Sequence, residues 1–190
     1  MSKRAYWILD RKQIECLASV PRTEILDWLC SAGPQSISDL AQALNRNASS
    51  LYHHVERMLD VGLVQEAGTR PVYRKTEQLY AVPSKRMRLK RALVEGEHDD
   101  LMQGIVNAMA RQFTKDFASG LTNGRARRSG RYRDLGFFRS VGRPSKQGLA
   151  EINRHLDAIA EILWNDHDPA ARAVTFGWVM APVDSGDDGA

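Results

Sequence analysis

The chain has 190 residues, with 27 lysines and arginines against 23 aspartates and glutamates, 43% hydrophobic residues and two cysteines. That is enough for one medium domain or two small ones sharing a core. The longest uncharged apolar stretch, Ala173 to Val183, falls far short of the roughly 20 residues that cross a bilayer, the N-terminus lacks a secretory h-region, and two cysteines build no disulfide framework. The sequence therefore argues against a membrane span and against secretion, and the expected compartment is the reducing cytoplasm.

The net charge of +4 is unevenly placed: residues 1–95 hold 15 basic and 10 acidic side chains, residues 96–190 hold 12 and 13. In chain order, Ile14, Leu17, Ala18 and then Ile25, Leu26, Leu29 recur at helical intervals, predicting two helices that meet at Ser19 to Pro21. Gly33 and Pro34 end the second. Ser36 with Asp39 forms an S-x-x-D capping box, and Ile37, Leu40, Ala41 and Leu44 follow as a short amphipathic helix closed by the polar turn Asn45, Arg46, Asn47. Asn47 is a good N-cap for a helix from about Ala48 to Val61 that buries Leu51, Val55 and Met58, with Gly62 closing it.

A short helix, a tight polar turn and a four-turn helix make the helix-turn-helix pattern, in which the second helix enters the DNA major groove. Its outward positions are Ser49, Ser50, Tyr52, His53, Glu56 and Arg57. Together with Asn47 these are the candidate base and phosphate contacts, Glu56 excepted, since a carboxylate repels phosphate. Leu63 to Ala67 reads as a strand, Gly68 to Pro71 as a turn and Val72 to Val82 as a second strand, a hairpin wing. Arg46 before the helix, Arg70 at the predicted tip and Arg74 and Lys75 on its flank are the candidate backbone or minor-groove contacts.

The residues Val20-Pro21-Arg22 with Ile25-Leu26, Ser38-Asp39-Leu40-Ala41, Leu51-Tyr52-His53-His54-Val55, Gly62-Leu63-Val64 and Arg70-Pro71-Val72-Tyr73-Arg74 together resemble the ArsR-like winged helix-turn-helix family of bacterial transcriptional regulators. The resemblance spans about residues 9 to 83. It implies a homodimer that binds operator DNA through the winged helix, commonly as a repressor released by a signal. Metal-sensing members carry a cysteine pair at the start of the first helix of the helix-turn-helix, where this chain has Ile37 and Ser38, so metal sensing is not expected. Cys16 and Cys30 sit beside apolar helical positions and read as small buried hydrophobes. His53 and His54 point about 100° apart on a helix, and the resemblance implies that the second packs against the wing or a neighbouring helix.

From Lys85 to Ser119 the pattern predicts helix, broken near Gly96, with Leu101, Ile105, Met109, Phe113 and Phe117 at i+4 spacing. Leu149, Ile152, Leu156, Ile159 and Leu163 form a heptad-type seam. Either set serves an intrachain hairpin or a dimer interface. Arg131 to Val141 and Val174 to Val183 are strand candidates, and residues 184–190 a disordered tail. Trp164, Phe176, Trp178, Phe137 and Phe138 fit an effector pocket for a small molecule or ordinary packing. Two basic runs, Lys85, Arg86, Arg88, Lys90, Arg91 and the segment from Arg125 to Lys146, the latter opposed only by Asp134, are of open role.

No Gly-rich phosphate loop and no G-x-S-x-G elbow occurs, and His98-Asp99-Asp100 reads as a solvated turn, so no enzyme and no cofactor is expected. The expected architecture is mainly α with a β-hairpin wing, an α+β fold. Residues 1–83 form the winged helix-turn-helix, and 84–183 a helical dimerisation and possible effector region with one or two short strands. The expected function is sequence-specific DNA-binding regulation of transcription by a homodimer on double-stranded DNA. The alternative is a winged-helix protein-interaction module that does not bind DNA.

Overall fold

In the computed structural model, which describes residues 5–89, 98–166, 168 and 170–183, local capping chemistry sets nearly every helix boundary of the N-terminal half. Strand β1 (Tyr6–Trp7) leads to Asp10, whose carboxylate accepts from the backbone N–H of Lys12 at 2.8 Å and of Gln13 at 3.3 Å and so starts α1 (Arg11–Leu17). Helix α2 (Val20–Ala32) begins at Ser19 with Pro21 in its first turn and stops at Gly33, whose φ of 84° favours glycine.

Strand β2 (Gln35–Ser36) runs straight into α3 (Ile37–Leu44). The Ser36 hydroxyl accepts from the Asp39 N–H at 3.2 Å, and the Asp39 carboxylate accepts from the Ser36 N–H at 3.0 Å, which completes the predicted capping box. Asn45 in the left-handed conformation ends α3, and Asn47 then caps α4 (Ala48–Asp60) by accepting from the Ser49 N–H at 3.0 Å. Past α4 the chain turns at Gly62, φ 71°.

The wing differs from its expected outline. Strand β3 (Gln65–Val72) and strand β4 (Lys75–Ala81) pair antiparallel down to Val72 opposite Lys75, so the turn is Tyr73-Arg74 and not Gly68 to Pro71. Gly68 (φ 86°) serves instead a register irregularity between Glu66 and Thr69. Pro71 is tolerated in the ladder because β3 is an edge strand of the three-stranded sheet β2-β4-β3. Beyond β4, β5 (Met87–Arg88) pairs in parallel with β1 through Tyr6 N–H to Arg86 C=O and Ile8 N–H to Arg88 C=O, each 2.9 Å. This ladder takes the place of the helix expected to begin at Lys85. Lys90, Arg91, the break expected near Gly96 and the tail from 184 to 190 lie outside the described residues.

Helix α5 (Asp99–Thr122) lays its first half across α1 and α2, where Met102, Ile105 and Ala108 are buried and Gly104 comes close to Ala18. The core joins these residues to Ile8, Ile14, Leu17, Ile25, Leu29, Leu40, Leu51, Val55, Met58, Leu63 and Val82. At roughly 1.5–3 kcal/mol for each large side chain removed from water, this shared core is the main stabilising term. His98, expected in a solvated turn, is buried; its Nε2 lies 3.2 Å from the Leu9 carbonyl oxygen, while Asp100 accepts from Arg11 at 2.8 Å. The cluster ties the start of α5 to the segment leading into α1.

Helix α6 (Lys146–Asn165) has no buried residue. Glu161 accepts from Arg86 at 3.0 Å, Asn165 Oδ1 accepts from Arg86 at 2.9 Å, and the Trp164 ring lies 4.6 Å from the Arg88 guanidinium. The strands expected at Arg131 to Val141 and Val174 to Val183 do not form. Their alternation is real, but a strand needs a ladder partner, and neither segment finds one among the described residues. Both instead run along the second half of α5: Phe137 meets Phe117 edge-on at 5.9 Å, Leu135 crowds Gly120, and Gly177 passes so close to the Phe113 ring that a Cβ there would overlap it. Asp134 in the first segment accepts from Arg127 just before it and from Arg172 just before the second segment.

Candidate nucleic-acid interface

The exposed face of α4 is displayed by its buried one. Leu51, Val55 and Met58 lock into the core, which leaves Ser49, Ser50, Tyr52, His53, Glu56 and Arg57 facing outward. At the N-terminal end the polar groups are engaged with one another. Asn47 Oδ1 accepts from both the N–H and the hydroxyl of Ser49 at 3.0 Å, and the Ser50 hydroxyl donates to the Asn47 carbonyl at 2.9 Å. Four of the six expected groove residues, Ser50, Tyr52, His53 and Arg57, thus project from one helix face, while Asn47 and Ser49 shape its start.

His54, one position round, is half-buried. Burial, and then the positive charges of Arg22, His53, Arg46 and Arg57, lower its pKa, so the neutral ring is favoured. No sequence pattern marks Arg22 as a contact. It lies in the first turn of α2, close to this basic group, and its guanidinium donates to the Cys16 carbonyl. Only the fold brings it there.

The four backbone candidates divide into two kinds. Arg46 is tied to Glu24, a carboxylate only 5% exposed that also accepts from Lys115 of α5 at 2.9 Å. Arg70 donates to Asp39 at 3.0 Å and to Glu77 at 2.8 Å, with the Ser36 hydroxyl 3.4 Å away. It is a clasp between the wing and the N-terminus of α3. Burial would raise the Asp39 carboxyl pKa, but the bonds from Ser36 and Arg70 outweigh it and hold it low. Arg74 and Lys75, by contrast, are exposed at the wing tip and form no ion pair among the described residues. Between the wing, the start of α3 and Tyr52 of α4 runs a groove of about 910 Å³, lined by Ser36, Ser38, Tyr73, Arg74, Lys75 and Tyr80 among others.

The remaining candidates form no site. Burial pushes the Cys16 thiol up and the Cys30 thiol up to about 12, which keeps both protonated and poor as metal ligands. Phe137 and Phe138 are almost wholly exposed and Phe176 and Trp178 half exposed, so with Trp164 they do not enclose an effector pocket.

Helix-turn-helix followed directly by a β-hairpin defines the chain's first half as a winged helix-turn-helix fold. A family model described as HVO_A0114 matches residues 18–75, from just before α2 through the wing turn and less than a third of the chain. No curated protein matches it. Among the described residues no helix is long and apolar enough to cross a membrane.

Proposed function

We infer that the chain is a sequence-specific DNA-binding regulator of transcription, ArsR-like in its winged helix-turn-helix, acting in the cytoplasm as a homodimer and without catalytic activity. The observation that carries this reading is the outward face of α4 beside the wing tip: Ser50, Tyr52, His53 and Arg57 suit the major groove, and Arg74 and Lys75 suit the flanking phosphates. The basic excess of the first half of the chain falls on the same part of the molecule.

A second reading, a winged-helix module that meets another protein, draws support from Arg46 and Arg70. Both are neutralised by carboxylates of their own chain, which removes two of the four cations expected on phosphate. A gel shift with random-sequence duplex at low salt separates the readings, because even a specific DNA binder retains non-specific duplex there. Retention supports the first; free duplex at micromolar protein leaves the second.

A further inference from the structure

Tyr73 is the first of the two residues at the wing tip, between Val72 and Lys75, the last pair of the β3–β4 ladder. Its φ is 51°, while Arg74 beside it is outside the positive-φ region. A positive φ at the first central residue alone is the pattern of a type II′ hairpin turn, whose favoured residue there is glycine. A tyrosine carries backbone strain at that place, and its side chain is wholly exposed. Neither packing nor turn chemistry selects it. Strain that the fold itself does not use points to function.

The surroundings state what kind of function. Arg74 and Lys75 follow Tyr73 directly in the chain, both exposed. The nearby Glu77 carboxylate is occupied by Arg70, so it does not neutralise them. An exposed aromatic ring next to two exposed cations on a narrow hairpin fits a narrow polyanionic groove better than an apolar protein pocket. The tip also lines the same groove as Tyr52 of α4 and Ser36 to Ser38 at the start of α3, which puts it on the side of the molecule from which α4 faces.

We propose that Tyr73 is a wedge that the wing sets against the DNA minor groove beside the half-site read by α4. There the ring partly unstacks a flexible pyrimidine–purine step, and Arg74 and Lys75 hold the adjacent phosphates. The proposal rests on the DNA-binding reading and adds to it a specificity determinant, a flanking TA or CA/TG step selected by deformability and not by base-edge hydrogen bonds.

The test lets the full-length wild type, Tyr73→Gly, Tyr73→Phe and Lys75→Ala each select from a random-sequence duplex pool, with melting temperatures measured alongside. Tyr73→Gly is expected to melt no lower than wild type, since glycine accepts the positive φ. Its selected duplexes keep the wild-type central half-sites and lose the flanking pyrimidine–purine preference, and it binds wild-type-selected duplex roughly tenfold more weakly, within the range for loss of one aromatic–base contact. Tyr73→Phe retains the flank, and Lys75→Ala weakens binding to all duplexes alike. Identical flanks from wild type and Tyr73→Gly would overturn the wedge and leave DNA binding standing. Failure of the wild type to enrich any sequence would overturn both.

Discussion

Glu24 is the buried charge on which three elements converge: from α2 it accepts from Arg46, at the turn before α4, and from Lys115 of α5. Burial alone would raise its carboxyl pKa, but the bonds from Arg46 and Lys115 outweigh that cost and hold it below the usual range. A folded-state pKa below the unfolded value means that Glu24 contributes stability above the unfolded pKa, and that this contribution is lost as pH falls through the folded one. Glu24→Gln should therefore cost about 1–3 kcal/mol at neutral pH and show a smaller further loss than wild type between pH 5 and pH 3. Urea melts across that range check it; equal acid slopes for the two proteins would show that the pairing contributes nothing. The same residue explains why Arg46 makes a weak candidate for phosphate contact.

At the scale of elements, the reading proposed for α4 requires that the helix be firmly seated in the core. Leu51 is fully buried between α4 and the rest of the core, and Leu51→Ala should cost about 2–5 kcal/mol, measured as a lowered denaturation midpoint with unchanged slope. A loss under about 0.5 kcal/mol would mean that the helix is not seated as described.

These helices were legible in the sequence because their signals are local: Ser36 with Asp39, Asn47 before Ala48, Gly62 after Val61, and the stripe Leu51, Val55, Met58 each lie within a turn or two of what they specify. The wing was legible only in outline. Gly68 and Pro71 have turn composition, yet one serves a bulge and the other an edge strand, and the turn fell to Tyr73, a residue no local rule places there. The clasp of Arg70 on Asp39 joins residues 31 positions apart, so no window of sequence shows it. The strand candidates at residues 131–141 and 174–183 failed for a related reason, since alternation specifies a pleated surface but not the partner that completes a ladder.

For the whole molecule, the apolar surface of the second half bears on assembly. Leu149, Ile152 and Leu163 of α6 are 40%, 40% and 50% exposed, and Phe137, Phe138, Val179 and Met180 are open as well. A soluble monomer seldom leaves so much large apolar surface uncovered, and the heptad spacing on α6 is suited to a partner helix. The proposed homodimer covers it. Sedimentation should then give twice the 21.3 kDa chain mass, with Ile152→Asp shifting the population to single chains while the melting of the N-terminal core is retained. A wild type that sediments as a single chain at tens of micromolar would contradict this part of the proposal. The proposed dimer would also set the DNA geometry, because two α4 helices related by a two-fold axis require half-sites about one helical turn apart, or a multiple of it.

The central claim, that the winged helix reads DNA, is met most directly by an equilibrium titration of the full chain against a selected duplex and its scrambled counterpart over increasing salt. Both duplexes are expected to bind at low salt, with affinity that falls roughly hundredfold or more between 50 and 200 mM as phosphate-bound counterions are released. The selected duplex should be held about a thousandfold or more tighter than the scrambled one. Equal affinity for the two duplexes, or none for either at the lowest salt, would contradict it.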